Sequence, residues 1–117
     1  MSNEEIAIKW FEAFNQHHLE NLLSLYHENA QHYSPKLKVK HPETKGLITG
    51  KNTLRIWWAD AFLRLPNLHY SVTNLTANNQ RVFMEYIRQV PNEEDLLVAE
   101  VLEIENGKII SSKVYHG

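Results

Sequence analysis

The chain contains no cysteine among its 117 residues. Disulfide bonds, thiolate nucleophiles and metal sites built from cysteine are therefore excluded. Glycine and proline are scarce, at four residues each, and no tract of small or charged residues marks a linker. We therefore expect one domain over residues 1–117, which is long enough to bury a single hydrophobic core.

A strong charge of one sign and long apolar runs are absent as well. The formal net charge of −2 gives no reason to expect binding to nucleic acid or to an anionic membrane. No apolar run approaches the roughly 20 residues that span a bilayer, and the acidic start lacks the apolar core of a signal peptide. A cytoplasmic protein without membrane contact is the default expectation. The seven histidines show neither HxxxH nor HxH spacing, so no metal site is predicted.

The last quarter of the chain carries the clearest pattern. Two strand-like runs, Leu96–Glu105 and Lys108–Tyr115, flank Asn106-Gly107, a dipeptide that suits the positive φ angles of a tight hairpin turn. Because alternate residues of a strand share a face, one face of the first run is apolar except for Glu100. A carboxylate in an apolar row must be paired or kept protonated, which makes Glu100 the first candidate for a functional residue.

The other predicted elements precede this hairpin. A capping box of Ser2 and Glu5 predicts a first helix from Asn3, and helical apolar spacing predicts two more, over 19–26 and over 51–65. Strands are predicted over 30–34, 68–75 and 82–90, and an exposed loop over 36–46. Both faces of the run 82–90 are mixed, so its inward face stays open. Helices followed by a meander of four strands predict an α+β domain.

Several short motifs occur in an order and at a spacing that are shared by a known superfamily. They are the segments 10–15, 22–30, 33–35, 50–58 and 105–109. Together they resemble the NTF2-like superfamily, in particular its SnoaL-like and ketosteroid-isomerase-like members. The resemblance implies a cone of three N-terminal helices packed on a curved, mostly antiparallel sheet around a pocket. It also implies a homodimer formed through the outer face of the sheet.

Catalytic roles carry over only in part. In steroid isomerases of this superfamily, a tyrosine and a protonated aspartate form an oxyanion hole, and an aspartate before a proline shuttles the proton. The resemblance places these roles at Trp10, Glu100 and Ser34. An indole N–H can donate a hydrogen bond but is not an acid, and serine is not a base near neutral pH. Only Glu100 keeps its role in kind, so steroid-type isomerisation is not expected.

The predicted pocket combines acid/base groups with an apolar wall. Glu100 is the predicted acid/base residue, and His32 assists it as a second catalytic group. The predicted ligand-binding residues are Trp10, Ser34, Trp58, Phe62, Ser112 and His116. The structural alternative is that Glu100 simply pairs with Arg81 or Arg88 of the neighbouring strand.

Three functions remain open at this point. The first is a cofactor-free isomerase, dehydratase or hydrolase that acts on a small apolar ligand, with cyclic compounds among the candidates. The second is a non-catalytic protein that binds such a ligand in the same pocket. The third is an interaction module that forms a homodimer and keeps only a vestigial pocket. The sequence names no substrate.

Overall fold

The computed structural model describes residues 1–116, which form an α+β fold. The helices are α1 (Asn3–Asn15), α2 (Leu19–Ser24), α3 (Pro35–Lys40) and α4 (Lys51–Arg64), with a short 3₁₀-helix at Pro42–Thr44. The strands are β1 (Tyr26–Tyr33), β2 (Leu47–Thr49), β3 (His69–Ala77), β4 (Arg81–Gln89), β5 (Leu96–Glu105) and β6 (Lys108–His116). The predicted fold class is confirmed, with one helix more than expected.

The six strands form one sheet in the order β2-β1-β6-β5-β4-β3. Every neighbouring pair is antiparallel except β1 and β6, which run parallel. The predicted meander of four strands is confirmed as β3 to β6, and Asn106-Gly107 forms its last turn with positive φ at both residues. The sheet is curved, and its concave face carries the core.

The boundary between α2 and β1 differs from the prediction. The helix ends at Ser24, and the strand begins at Tyr26 rather than at Ala30. Tyr26 pairs with Ile109 of β6, which lies more than 80 residues further along the chain. This long-range pairing draws Tyr26 out of the helical apolar pattern, because tertiary context overrides local propensity.

Helix α3 replaces the first part of the predicted loop over 36–46. The Ser34 side chain caps this helix by accepting a hydrogen bond from the Lys36 N–H at 3.2 Å, and Pro35 occupies the first helical turn. Leu37 anchors the helix because its side chain is buried. So short a helix requires only a capping residue and one buried side chain. These two signals are weak in a lysine-rich segment, so the helix was not predicted.

The core lies between the helices and the concave face of the sheet. The predicted capping box is present, since the Glu5 N–H donates to Ser2 Oγ at 3.1 Å. The inward face of β4, which the sequence left open, carries Val82, Met84, Tyr86 and Arg88. No helix among residues 1–116 is both long enough and apolar enough to cross a membrane.

Candidate active site

A cavity of about 440 Å³ lies between the concave face of the sheet and helices α3 and α4. Its wall is mostly apolar and aromatic, as is usual for pockets that bind small molecules. The wall includes Phe14, Trp57, Trp58, Tyr70, Tyr86, Val98 and Val114. Polar groups reach the cavity from Ser34, His32 and Glu100. The arrangement suits an apolar ligand that carries a few polar atoms.

The predicted site residues divide into two groups in the structure. The cavity is lined by Glu100, His32, Ser34, Trp58 and His116. Trp10, Phe62 and Ser112 are not on its surface. Phe62 packs against the Phe14 ring at 5.5 Å, and both Trp10 and Ser112 are fully buried. The structure therefore brings five of the eight predicted residues together at the cavity and places Trp10, Phe62 and Ser112 outside its lining.

Glu100 is almost completely buried, with 1% of its surface exposed. Its Oε1 accepts a hydrogen bond from the Tyr86 hydroxyl at 2.6 Å, and its Oε2 has no partner among residues 1–116. Burial raises the pKa of Glu100 to about 7, although the Tyr86 hydrogen bond opposes this shift. Near neutral pH the carboxyl group is therefore ready both to give and to take a proton.

The ion-pair alternative for Glu100 is wrong. Arg88 Nη1 donates instead to Glu93 Oε1 at 3.0 Å, and Arg81 is exposed on the outer face, opposite Glu103 of β5. No salt bridge reaches Glu100 within the described chain. Burial therefore raises the pKa of Glu100 with no ion pair within the described chain to lower it.

A buried hydrogen-bond chain leads from α1 to His32. Trp10 Nε1 donates to the Tyr26 hydroxyl at 3.0 Å, which donates to Ser112 Oγ at 3.0 Å. Ser112 Oγ in turn lies 2.7 Å from His32 Nδ1. An indole is only a donor, so Tyr26 must accept from it and pass its own proton to Ser112. The Ser112 hydroxyl then donates to Nδ1, because any other arrangement leaves a buried O–H without an acceptor.

This direction fixes the tautomer of His32. With Nδ1 acting as an acceptor, the neutral ring carries its proton on Nε2. Burial lowers the pKa of His32 to about 4, so the ring is uncharged at pH 7. The hydrogen bond with Ser112 Oγ occupies Nδ1, and His32 lines the cavity, which leaves Nε2 as the ring nitrogen available to a ligand. His32 therefore offers a hydrogen-bond donor, and Glu100 is the acid/base group.

The two groups do not bond to each other directly. No hydrogen bond joins His32 to Glu100 in the part of the chain that the structure describes; each belongs to its own network. Tyr86 and Tyr70 were not predicted from the sequence as site residues. Their ring centroids lie 4.3 Å apart, beside Glu100. Burial and the nearby Glu100 raise the pKa of Tyr86 well above its usual range, so its hydroxyl remains a donor.

The comparison with sequence families gives one broad match. The family model described as a SnoaL-like domain matches residues 7–112, which is nearly the whole chain. The curated proteins include no match to this sequence.

Solved structures show the same fold at low sequence identity. A SnoaL-like protein of unknown function from Burkholderia thailandensis is similar with a TM-score of 0.87 and 22% identity, covering 97% of this chain and 92% of the other. An NTF2-like protein of unknown function from Cytophaga hutchinsonii has a TM-score of 0.77 and 15% identity, covering 100% and 92%. A protein with a ketosteroid isomerase-like fold from Catenulispora acidiphila, in complex with trimethylamine, has a TM-score of 0.76 and 19% identity, covering 98% and 86%.

Proposed function

The chain belongs to the family of SnoaL-like domains, and we propose that its cavity binds a small, apolar, cyclic ligand and catalyses a cofactor-free proton transfer on it. Because the fold hosts many chemistries, the family alone does not choose among them. The observation that carries the proposal is the buried carboxyl group of Glu100 in the cavity lining, whose enclosed Oε2 has no hydrogen-bond partner among residues 1–116. A cavity that only filled space would need no such group there.

The two polar groups divide the work of a proton transfer. The ionised Glu100 carboxylate removes a proton from the carbon next to a ligand carbonyl. Negative charge then develops on the carbonyl oxygen, and the Nε2–H of His32 stabilises it by donating a hydrogen bond. In a ligand with a double bond between its β- and γ-carbons, the electron pair left by the proton extends to the γ-carbon. The protonated carboxyl group returns the same proton there and the double bond moves between the α- and β-carbons, which completes an isomerisation. Tyr86 stabilises the carboxylate form through its hydrogen bond to Oε1 and keeps that form accessible near pH 7.

We expect the protein to accelerate hydrogen–deuterium exchange at the carbon next to the carbonyl of cyclic ketones, starting with 1-tetralone. Proton NMR in D₂O at pH 7 measures the rate. Glu100→Gln should slow the catalysed exchange at least about 100-fold, because a general base commonly contributes that much or more. Glu103→Gln, on the outer face of the same strand, is the matched control and should leave the rate unchanged.

A non-catalytic binding protein would bind the ketone but would not accelerate its hydrogen–deuterium exchange. Trp57 and Trp58 line the cavity, so quenching of tryptophan fluorescence reports ketone binding independently of turnover. Binding without exchange above the Glu100→Gln rate would identify a small-molecule binding protein and contradict the enzymatic proposal.

We also propose that the outer face of the sheet binds a second copy of this chain. Apolar side chains from β4, β5 and β6 lie there beside Glu85 and Lys113. The strand registers pair Phe83 with Val101, Ile87 with Leu97, and Ala99 with Tyr115. Leu97 alone is 67% exposed, and a patch of this kind on a monomer usually marks an interface.

The homodimer predicts a mass of twice the chain mass in sedimentation velocity. Phe83→Glu should give the monomer, because it places a charge in the centre of the patch. Ile56→Glu, at an exposed apolar position on α4, is the control and should stay dimeric. A monomeric wild-type protein at high concentration would contradict this proposal while leaving the cavity chemistry untouched.

A further inference from the structure

The mouth of the cavity is basic, although the whole chain carries a net charge of −2. Its lining includes the cationic side chains of Lys36, Lys40, Arg64 and Arg88. Asp60 pairs with both Lys40 and Arg64 at 2.8 Å, and Glu93 pairs with Arg88 at 3.0 Å. Lys36 has no carboxylate partner among the described residues. Two carboxylates against four cations leave the mouth with a positive charge.

Among these cations, Arg88 is the one whose surroundings best suit the binding of an anion. Only 9% of its side chain is exposed, and its one ion pair uses Nη1. Its Nε and Nη2 make no hydrogen bond within residues 1–116, and the residue lines the cavity. Glu93, its partner, is 47% exposed and offsets little of the free energy needed to bury a guanidinium. The free donors match the planar geometry of a carboxylate.

Two further groups converge on Arg88. Burial and the nearby Arg88 lower the pKa of Lys36, and the nearby Glu93 opposes this shift. Burial, then Lys36 and Arg88, lower the pKa of His116, which lies on β6 and pairs across the sheet with Val98. Lys36, Arg88 and His116 therefore share one small region of the cavity lining. A bound anion there would relieve their mutual repulsion.

The distance from this region to Glu100 sets the size of the ligand. Met84 lies opposite Glu100 in the sheet, and Arg88 lies four residues further along β4. Four residues of strand span about 13 Å. Between the two ends the strand register places the cavity-lining pair of Tyr86 and Val98. The cavity therefore offers a cationic end, an apolar middle and an acid/base end.

We propose that Arg88 and Lys36 bind the carboxylate of an organic acid whose apolar, cyclic body extends along the cavity toward Glu100. The inference rests on the proposed function and narrows it, because it names the class of ligand. The ligand is an amphiphilic acid with a carbonyl group at the end distant from its carboxylate.

Isothermal titration calorimetry with two naphthalene probes tests this inference. The probes are 2-naphthoate, which carries a carboxylate, and 2-acetylnaphthalene, a neutral ketone of similar shape. The wild-type protein should bind 2-naphthoate about tenfold more tightly or better, since hydrogen bonds to a charged group contribute that much. Arg88→Gln should remove this preference and leave the affinity for 2-acetylnaphthalene within about twofold.

Arg81→Gln is the matched control, because it removes the same charge from the outer face of the same strand. It should keep the preference for 2-naphthoate. Should Arg88→Gln fail to fold by circular dichroism, Lys36→Gln carries the test and should weaken 2-naphthoate binding about tenfold. Equal affinity for both probes, no binding of 2-naphthoate, or equal losses in the Arg88 and Arg81 variants would overturn the inference. The ketone exchange assay tests the proton transfer separately.

Discussion

Glu100→Gln is expected to make the protein more stable than the wild type at pH 8, by about 3 kcal/mol. Burial raises the pKa of Glu100 from an ordinary 4.5 to about 7. The folded state therefore favours the protonated form, and its stability falls as the pH rises from about 4.5 through about 7. Glutamine keeps an oxygen for the Tyr86 hydroxyl but never ionises. Urea unfolding at a series of pH values measures the difference.

The gain should depend on pH in a specific way. Below pH 4.5 both proteins carry an uncharged side chain, so their free energies of unfolding should approach each other. Glu103→Gln, the control on the same strand, should show no gain that grows with pH. An equal gain at pH 4 and pH 8 would show that packing, and not ionisation, distinguishes the glutamine variant.

His32 also makes the stability depend on pH, but in the opposite direction to Glu100. Burial lowers the pKa of His32 from 6.5 to about 4, so its contribution to stability is lost as the pH falls through this range. Between about pH 4.5 and 6.5 the slopes of Glu100 and His32 oppose each other. In Glu100→Gln the slopes of His32 and of His116, whose pKa is also lowered, remain, so the variant should lose more stability on acidification than the wild type.

The second prediction concerns Ser112, the centre of the buried hydrogen-bond chain. Ser112→Ala should destabilise the protein by about 3 kcal/mol, because it leaves one buried O–H without an acceptor and one buried nitrogen without a donor, at roughly 1–3 kcal/mol each. These groups are the Tyr26 hydroxyl and His32 Nδ1. Urea unfolding at pH 7 gives the stability. Ser111→Ala is the control, since Ser111 is also buried but makes no side-chain hydrogen bond within the described chain.

A second readout separates the hydrogen bonds from packing. In the wild type, nitrogen NMR of the imidazole should show a proton on Nε2 and none on Nδ1. Ser112→Ala removes the donor to Nδ1, so the preference for this tautomer should weaken. An Nδ1–H tautomer in the wild type would reverse the direction of the chain and remove the donor proposed for catalysis. Equal destabilisation by both serine variants would contradict the partnering of Ser112.

Glu100 was predictable because its signal is local. Alternate residues of β5 share a face, and a single carboxylate interrupts an otherwise apolar row. The hairpin turn and the strand meander follow from equally local chemistry. In contrast, the Tyr86 hydroxyl that contacts Glu100 lies on a strand whose two faces are both mixed in composition. Its inward direction is set by pairing with β3 and β5, which no short window of sequence contains.

The role of His32 was beyond sequence reasoning for the same reason. The residue itself was a candidate, but its tautomer depends on Trp10, Tyr26 and Ser112. Ser112 lies 80 residues away in sequence and reaches His32 only because β1 and β6 pair in parallel. Helix α3 was missed because a serine cap and one buried leucine are weak signals in a lysine-rich segment. The contacts between residues distant in sequence could therefore not be predicted. These contacts decide that Glu100 is the acid/base group and that His32 is a hydrogen-bond donor.

The proposed proton transfer requires that Glu100 holds an exchangeable proton near neutral pH inside an apolar cavity. Carbon-13 NMR of glutamate carboxyl groups, titrated from pH 3 to pH 9, measures this directly, and Glu100→Gln identifies the signal. We predict that the Glu100 signal titrates with a pKa of about 7 and is thereby distinguished from the signals of the exposed glutamates. A Glu100 signal that titrates near 4.5 would contradict it.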